Sequence, residues 1–466
     1  MFRVTMKILA QCRPNTQAVR LELGSAAGKC HCSARHKTPQ IAQIPDPMEA
    51  AQMNHPTLSP RDVRRNFACL VWMGSVFAMG WAEVVVVLQP LLVHYGATNT
   101  QIGIVQGVLI ATLPGMFLSP WITRRFRHKK IYLFVTDSLY LLPVGLVGAA
   151  VWAGGPASPS AMVTFIVWMM LAGQIAAGFG GLPNQEFFTS CIPMRLRGRL
   201  AGVSAGVGGL LGLGAAGIAA WVLVALPKPQ AYGALLVLAW LLCQLADAAV
   251  LLAKEPPTPV EASPPPWGKA MWRAFLCDRK FLRVALSVSL ISPLLAQLAL
   301  FSSVFAFREL GFKAQMAAWL GMTAAGSRLA LSPAAGWLTD TWGARPALLL
   351  WVALAGCGFL LLALVPTTAS VFVAVALAAV AGSGFAGAMN ALTSGIPRPE
   401  HRSGHFTLLG FCMIAANSAG PLLAGRLFDS LSYQNGFAVL AASTAAVLTL
   451  SYWLLRDLSM RASDYS

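Results

Sequence analysis

Charge is what this sequence has least of. Only 11% of its 466 residues are Asp, Glu, Lys or Arg, against about a quarter in soluble domains, so water cannot be the solvent on every side. Acids are the scarcer sign, 17 against 34 Lys and Arg. The basic residues sit in short loops between apolar runs, not on one face, which argues against a nucleic-acid surface. Catalytic sets are missing as well. The seven His are scattered, no Ser-His-Asp arrangement or phosphate loop can be placed, and no ATP-binding motif occurs, so no enzyme activity and no cofactor is expected. Most of the nine Cys lie in or beside apolar runs, where Cys acts as a small buried hydrophobe, and no disulfide framework follows. Cys30-His31-Cys32 with His36 lacks a second ligand pair at zinc spacing, so no metal is expected. The first 60 residues contain nothing apolar enough for a secretory signal. They read as a disordered tail, the alternatives being a basic, acid-poor transit peptide or sequence upstream of a start at Met48 or Met53.

What is abundant is apolar length. Hydrophobic residues make up 56% of the chain, in runs near 66–89, 101–123, 130–152, 161–188, 199–226 and 231–253, then near 282–307, 315–338, 346–366, 369–394, 404–428 and 434–455. Each run can cross about 30 Å of hydrocarbon as a helix, and helices are required because lipid leaves backbone groups unsatisfied. The expectation is an all-α integral membrane protein with twelve transmembrane helices. On alternate sides of these spans, seventeen Lys and Arg face four: Lys228, Arg308, Lys313 and Arg426. That bias places both termini in the cytoplasm, in a multi-pass protein of the cell membrane. Between the sixth and seventh runs, 254–281 carries Pro256-Pro257 and Pro264-Pro265-Pro266 and reads as an extended spacer. The expected organisation is a tail to residue 60, a bundle over 61–253, the linker 254–281, a second bundle over 282–458, and a tail over 459–466.

The two bundles read as repeats. Gly178, Gly180, Thr189-Ser190 and Ile192-Pro193 recur 204 positions later as Gly382, Gly384, Thr393-Ser394 and Ile396-Pro397, a weak internal symmetry of the kind membrane carriers show. The eighth run ends Gly336-Trp337-Leu338-Thr339-Asp340-Thr341-Trp342-Gly343-Ala344-Arg345. This resembles the G-x-L-x-D-x-x-G-x-R signature of the major facilitator superfamily. Pro193 with Arg195, Arg197 and Gly198, Pro397 with Arg402 and Gly404, and Gly420-Pro421 through Gly425 are similar to other segments of that family. The resemblance covers about residues 62–458. It implies two pseudo-symmetric six-helix bundles around a central cavity lined by helices 1, 4, 7 and 10, with 2, 5, 8 and 11 beside them. It also implies a gate at the cytoplasmic face, to which Gly336, Asp340, Gly343, Arg345, Arg197 and Arg402 are assigned. The first half departs from the signature: Ser119, Thr123 and Phe126 stand where Gly, Asp and Gly belong. Gln174 stands where drug–proton antiporters of the family carry Arg.

Ionisable groups within spans are costly and default to functional candidates. Arg328 lies near the middle of the eighth run, roughly 15 Å from either end, and would be compensated by a carboxylate or by an anionic solute. Glu83, in the first helix, would serve as its counter-ion or as a proton site. Gln174, Gln297 and Asn390 complete the candidate binding set. Asp137 and Asp247 read as snorkelling toward, or pairing with, nearby basic residues, and Glu186 as a candidate partner of Arg195 or Arg197. Gly202, Gly206, Gly209, Gly212 and Gly217 read as a close-packing face of the fifth helix. The expected function is secondary transport of a small solute, with an anion as candidate substrate, by alternating access. The protein would act as a monomer in the lipid bilayer, with no nucleic-acid partner, and coupling to a proton or another cation is the candidate energy source. The alternative is a transporter-shaped scaffold, sensor or assembly factor.

Overall fold

The computed structural model describes residues 58–456 apart from 124, 127, 155–157, 257–272, 274 and 396–401. The expected N-terminal tail up to residue 57, the Cys30–His36 tract, most of the proline linker and the C-terminal tail lie outside these residues, whereas Ser59 and Pro60, expected in the tail, cap and start the first helix.

Among the described residues the chain forms twelve long helices: α1 (Pro60–His94), α2 (Asn99–Thr123), α3 (Lys130–Trp152), α4 (Pro159–Cys191), α5 (Met194–Ala225) and α6 (Gln230–Leu252), then α7 (Arg279–Arg308), α8 (Gln315–Trp342), α9 (Ala344–Leu364), α10 (Thr368–Gly395), α11 (Arg402–Ser430) and α12 (Tyr433–Leu455). Eleven have both the length and the apolarity to cross a membrane. The exception is α8, long enough at 28 residues but diluted by Arg328 and by Gly, Ser and Thr. The expected count of twelve spans is thus not reached by apolarity alone.

Local chemistry explains the ends. Helix α1 begins six residues before its apolar run, because Ser59 accepts a hydrogen bond from the Asp62 N–H and Pro60 occupies the first turn, both favourable N-terminal signals. Helix α2 tightens into a 3₁₀ turn at Val108–Ala111. Pro114, lacking an N–H, cannot bond the Ile110 carbonyl four residues back.

The two halves repeat one packing scheme. In the first, α1 packs on α5 and α6, α3 on α4 and α6, and α2 on α4; in the second, α7 packs on α11 and α12, α9 on α10 and α12, and α8 on α10. One asymmetry stands out: α7 lies along α10, whereas α1 meets α4 at few points. Between halves, α2 packs on α11 and α5 on α8. The ends of α1 and α12 at Pro60 and Leu455 define a termini face; Asn99, Arg308 and Tyr433 lie toward the far face.

Candidate functional site

The seam between α5 and α8 locates the opening. Their small residues share one face of each antiparallel helix. An added Cβ at Gly217 would lie 3.6 Å from Met322, one at Gly326 4.0 Å from Leu213, and one at Gly209 3.5 Å from Leu329. Continuing that register toward the termini face pairs Gly202 with Gly336, and both face open space. The halves therefore touch on the far side and diverge toward the termini. The glycine row closes the seam only in part: Gly209 and Gly217 pack, whereas Gly202, Gly206 and Gly212 do not.

Arg328 stands at the level where the seam parts, next to Leu329. Its direction follows from helical geometry. Trp319 and Trp337 lie nine residues to either side, about 180° away around the helix, and are 54% and 63% exposed, as lipid-facing side chains are. Gly321, seven residues before Arg328 on nearly the same face, meets Val86 of α1. Ser332, one turn after it, bonds Ser383 of α10 at 3.2 Å. Arg328 thus points inward between α1 and α10. It is exposed, and it makes no hydrogen bond or ion pair with any described residue.

Glu83 is 1% exposed and neither of its carboxylate oxygens has a hydrogen-bond partner. No ion pair joins it to Arg328, so the resting counter-ion role is not realised in this conformation. On α7, Gln297 is 2% exposed with both polar atoms unpartnered. It sits against Gly420 of α11, where a Cβ would come within 3.2 Å of its amide nitrogen. Asn390 is exposed on α10. Gln174 is engaged with the Tyr140 hydroxyl of α3, inside the first bundle. Beside the Gln297–Gly420 contact, Asn417 and Ser292 exchange side-chain hydrogen bonds of 3.0 and 3.1 Å between α11 and α7, a polar pair not singled out from sequence. Both residues look like ordinary helix–helix glue in a linear reading.

The second pair of acids departs from the expected local pairing. Lys130 donates to the carbonyls of Leu251 and Ala253, and Lys254 to Asp62. The Ser138–Gln244 bond of 3.0 Å sets a register that brings Asp137 and Asp247 to the same level of α3 and α6. Asp247 is 3% exposed with Oδ2 unpartnered, and among the described residues neither acid meets a basic group.

Of the residues expected at a gate, Gly336 is exposed, and Gly343, at φ 91°, ends α8, a backbone conformation that favours glycine. Arg345 turns toward α12, where it donates to the Arg456 carbonyl at 2.7 Å. The side chains of Asp340, Arg197, Arg402 and Glu186 lie outside the described set.

Comparison with known proteins agrees with this architecture. Residues 284–463 match the family model described as Major Facilitator Superfamily. Among solved structures, the chain is similar to the nucleoside transporter NupG (12% identity, 84% of this chain and 99% of that one, TM-score 0.65). It is also similar to a D-xylose-proton symporter (13%, 83% and 97%, TM-score 0.64). A third is a bacterial homologue of the human lysosomal transporter Spinster in an inward-facing, unoccupied conformation (16%, 85% and 96%, TM-score 0.57). At such identities the likeness is one of fold. No protein of curated function matches the chain.

Proposed function

We propose that this chain, whose residues 284–463 match the Major Facilitator Superfamily model, is a member of that superfamily and a secondary transporter for a small anionic solute. The observation that carries the reading is Arg328: a guanidinium deep in a helix, pointing between the halves at the level where they part, with no partner among the described residues. Guanidinium stays charged at any relevant pH and offers a planar fork suited to carboxylate or phosphate. In a membrane interior such a charge needs compensation, and the solute supplies it. Glu83 and Gln297, buried with unmet hydrogen-bonding groups, are the candidates to complete the site, and Asn390 lines the approach from the termini face. Glu83 is the proposed proton or cation site.

The cycle follows the two-body packing. Segments 61–253 and 282–458 rock about the seams α2–α11 and α5–α8, strapped by 254–281. The open face is cytoplasmic, given the basic loops on that side, in the cell membrane, with the chain working as a monomer. Asp340, Gly343 and Arg345, with Arg197 and Arg402, form the gate that closes that face when the far side opens.

A thermal-stability screen of the purified protein tests the substrate class, because a ligand that binds only the folded state raises apparent stability. Carboxylate- or phosphate-bearing metabolites should raise the melting temperature, whereas neutral sugars and cations should not. Stabilisation by neutral or cationic solutes alone would contradict the anion assignment.

A further inference from the structure

Where α2 begins, its first backbone N–H groups need partners from outside the helix. Two of the four are met locally by a capping box: Gln101 N–H donates to Thr98 Oγ1 at 3.1 Å, and Thr98 N–H to Gln101 Oε1 at 2.8 Å. The remaining two are met from the other half of the protein. Asn99 N–H donates to Asp429 Oδ1 at 2.9 Å, and Thr100 N–H to Asp429 Oδ2 at 2.8 Å. Asp429 stands in the last turn of α11, so a carboxylate of the second bundle caps a helix of the first, at the end where the helix dipole favours negative charge.

The surroundings reinforce the link. Asn99 is 2% exposed, donates from Nδ2 to the Phe428 carbonyl at 3.1 Å, and accepts from the Tyr433 hydroxyl at 2.7 Å. Arg308, at the end of α7, donates to the Ala97 carbonyl. Below this cluster the two backbones touch. A Cβ at Gly425 would lie 2.4 Å from the Asn99 carbonyl oxygen, one at Gly103 2.2 Å from the Pro421 oxygen, and one at Gly107 2.6 Å from the Ser418 oxygen.

We infer that Asp429, clamped on the α2 N-terminus and seated over the Gly103–Gly425 backbone contact, is the latch that holds the far face shut and must release for that face to open. The inference rests on the two-state transport reading for its purpose, but the latch can be read without any solute. In the closed form the Asp429 carboxylate, the Asn99 side chain and the Tyr433 hydroxyl are all paired within the protein. Opening exchanges those partners for water, so this seam sets the ratio of the two states.

The test is a distance measurement across the far face, with spin labels at Lys228→Cys and Lys313→Cys in the full chain freed of its other reactive cysteines. Both sites are exposed, lie in loops of opposite halves, and make none of the latch contacts. The parent protein should show mainly the short distance. Asp429→Ala should shift the short-to-long ratio by about tenfold, the scale expected for losing hydrogen bonds to a charged group, and Asp429→Asn by less, since its amide oxygen still accepts one bond. Gly425→Ala, which strains the same seam by bulk alone, should move the ratio in the same direction. Unchanged distributions in both Asp429→Asn and Gly425→Ala, each purified as a monodisperse species, would overturn the latch. A shifted distribution with no solute carried would leave the latch standing and remove the transport reading instead.

Discussion

The guanidinium of Arg345 donates a 2.7 Å hydrogen bond to the backbone carbonyl of Arg456 and lies 5.3 Å from the ring centre of Tyr452. This arginine, the last residue of the signature that ends α8, thus ties the start of α9 to the end of α12 within one bundle. Its first duty in this conformation is to hold that bundle together at the termini face. A charge-assisted bond at an exposed position is worth about 1 kcal/mol, so Arg345→Ala should lower the melting temperature by about 2–4 °C, read by scanning fluorimetry. Arg345→Lys should fall between, and an unchanged transition would argue against the tie.

Asp340 carries a different expectation. Placed in the same signature at the end of α8, it should act on the balance of states and not on affinity. Asp340→Asn should slow exchange across proteoliposomes while leaving ligand affinity within about threefold, because a change in the two-state equilibrium of modest size alters rate more than intrinsic binding. A normal exchange rate would remove Asp340 from the gate.

Glycines of the long helices should differ sharply in their tolerance. A Cβ at Gly384 would sit 2.3 Å from the Trp351 ring, where α10 crosses α9. Gly384→Ala should therefore cost about 1–3 kcal/mol through overpacking. Gly202→Ala, which meets open space, should leave thermal stability unchanged. Equal behaviour of the two in a melting experiment would contradict the packing described for these helices.

Much of the architecture was legible because lipid imposes long apolar helices: the expected 130–152 run is α3 to the residue, and α10 differs from its run by one residue at each end. The misplaced start of α1 shows the limit, since Ser59-Pro60 and Asp62 read as loop until their capping role is seen. Arg328 could be found from sequence because a charge amid apolar residues is conspicuous, and the same charge, with the Gly, Ser and Thr around it, leaves α8 less apolar than the other long helices. Asp429 could not. Its partners are backbone N–H groups about 330 positions away, and backbone groups leave no mark in a side-chain pattern. The glycine row of α5 shows a further limit: whether Gly202 packs or faces open space depends on how near α8 comes to it, which composition does not encode.

Topology follows from the loop charges and can be tested directly. Reporter fusions after residues 156 and 368 should read as external, and fusions after 127 and 262 as cytoplasmic. Reversal of the two pairs would invert the proposed orientation. Disagreement within either pair would break the segmentation.

The central claim, that Arg328 recognises an anionic group of the solute, is tested most directly by direct binding titrations with an anion that stabilises the parent protein. Parent, Arg328→Lys and Arg328→Ala would be compared as monodisperse purified proteins. The account predicts saturable binding by the parent, weaker binding by Arg328→Lys, whose ammonium lacks the bidentate fork, and none detectable by Arg328→Ala. Parent-like affinity in a folded Arg328→Ala would contradict the claim.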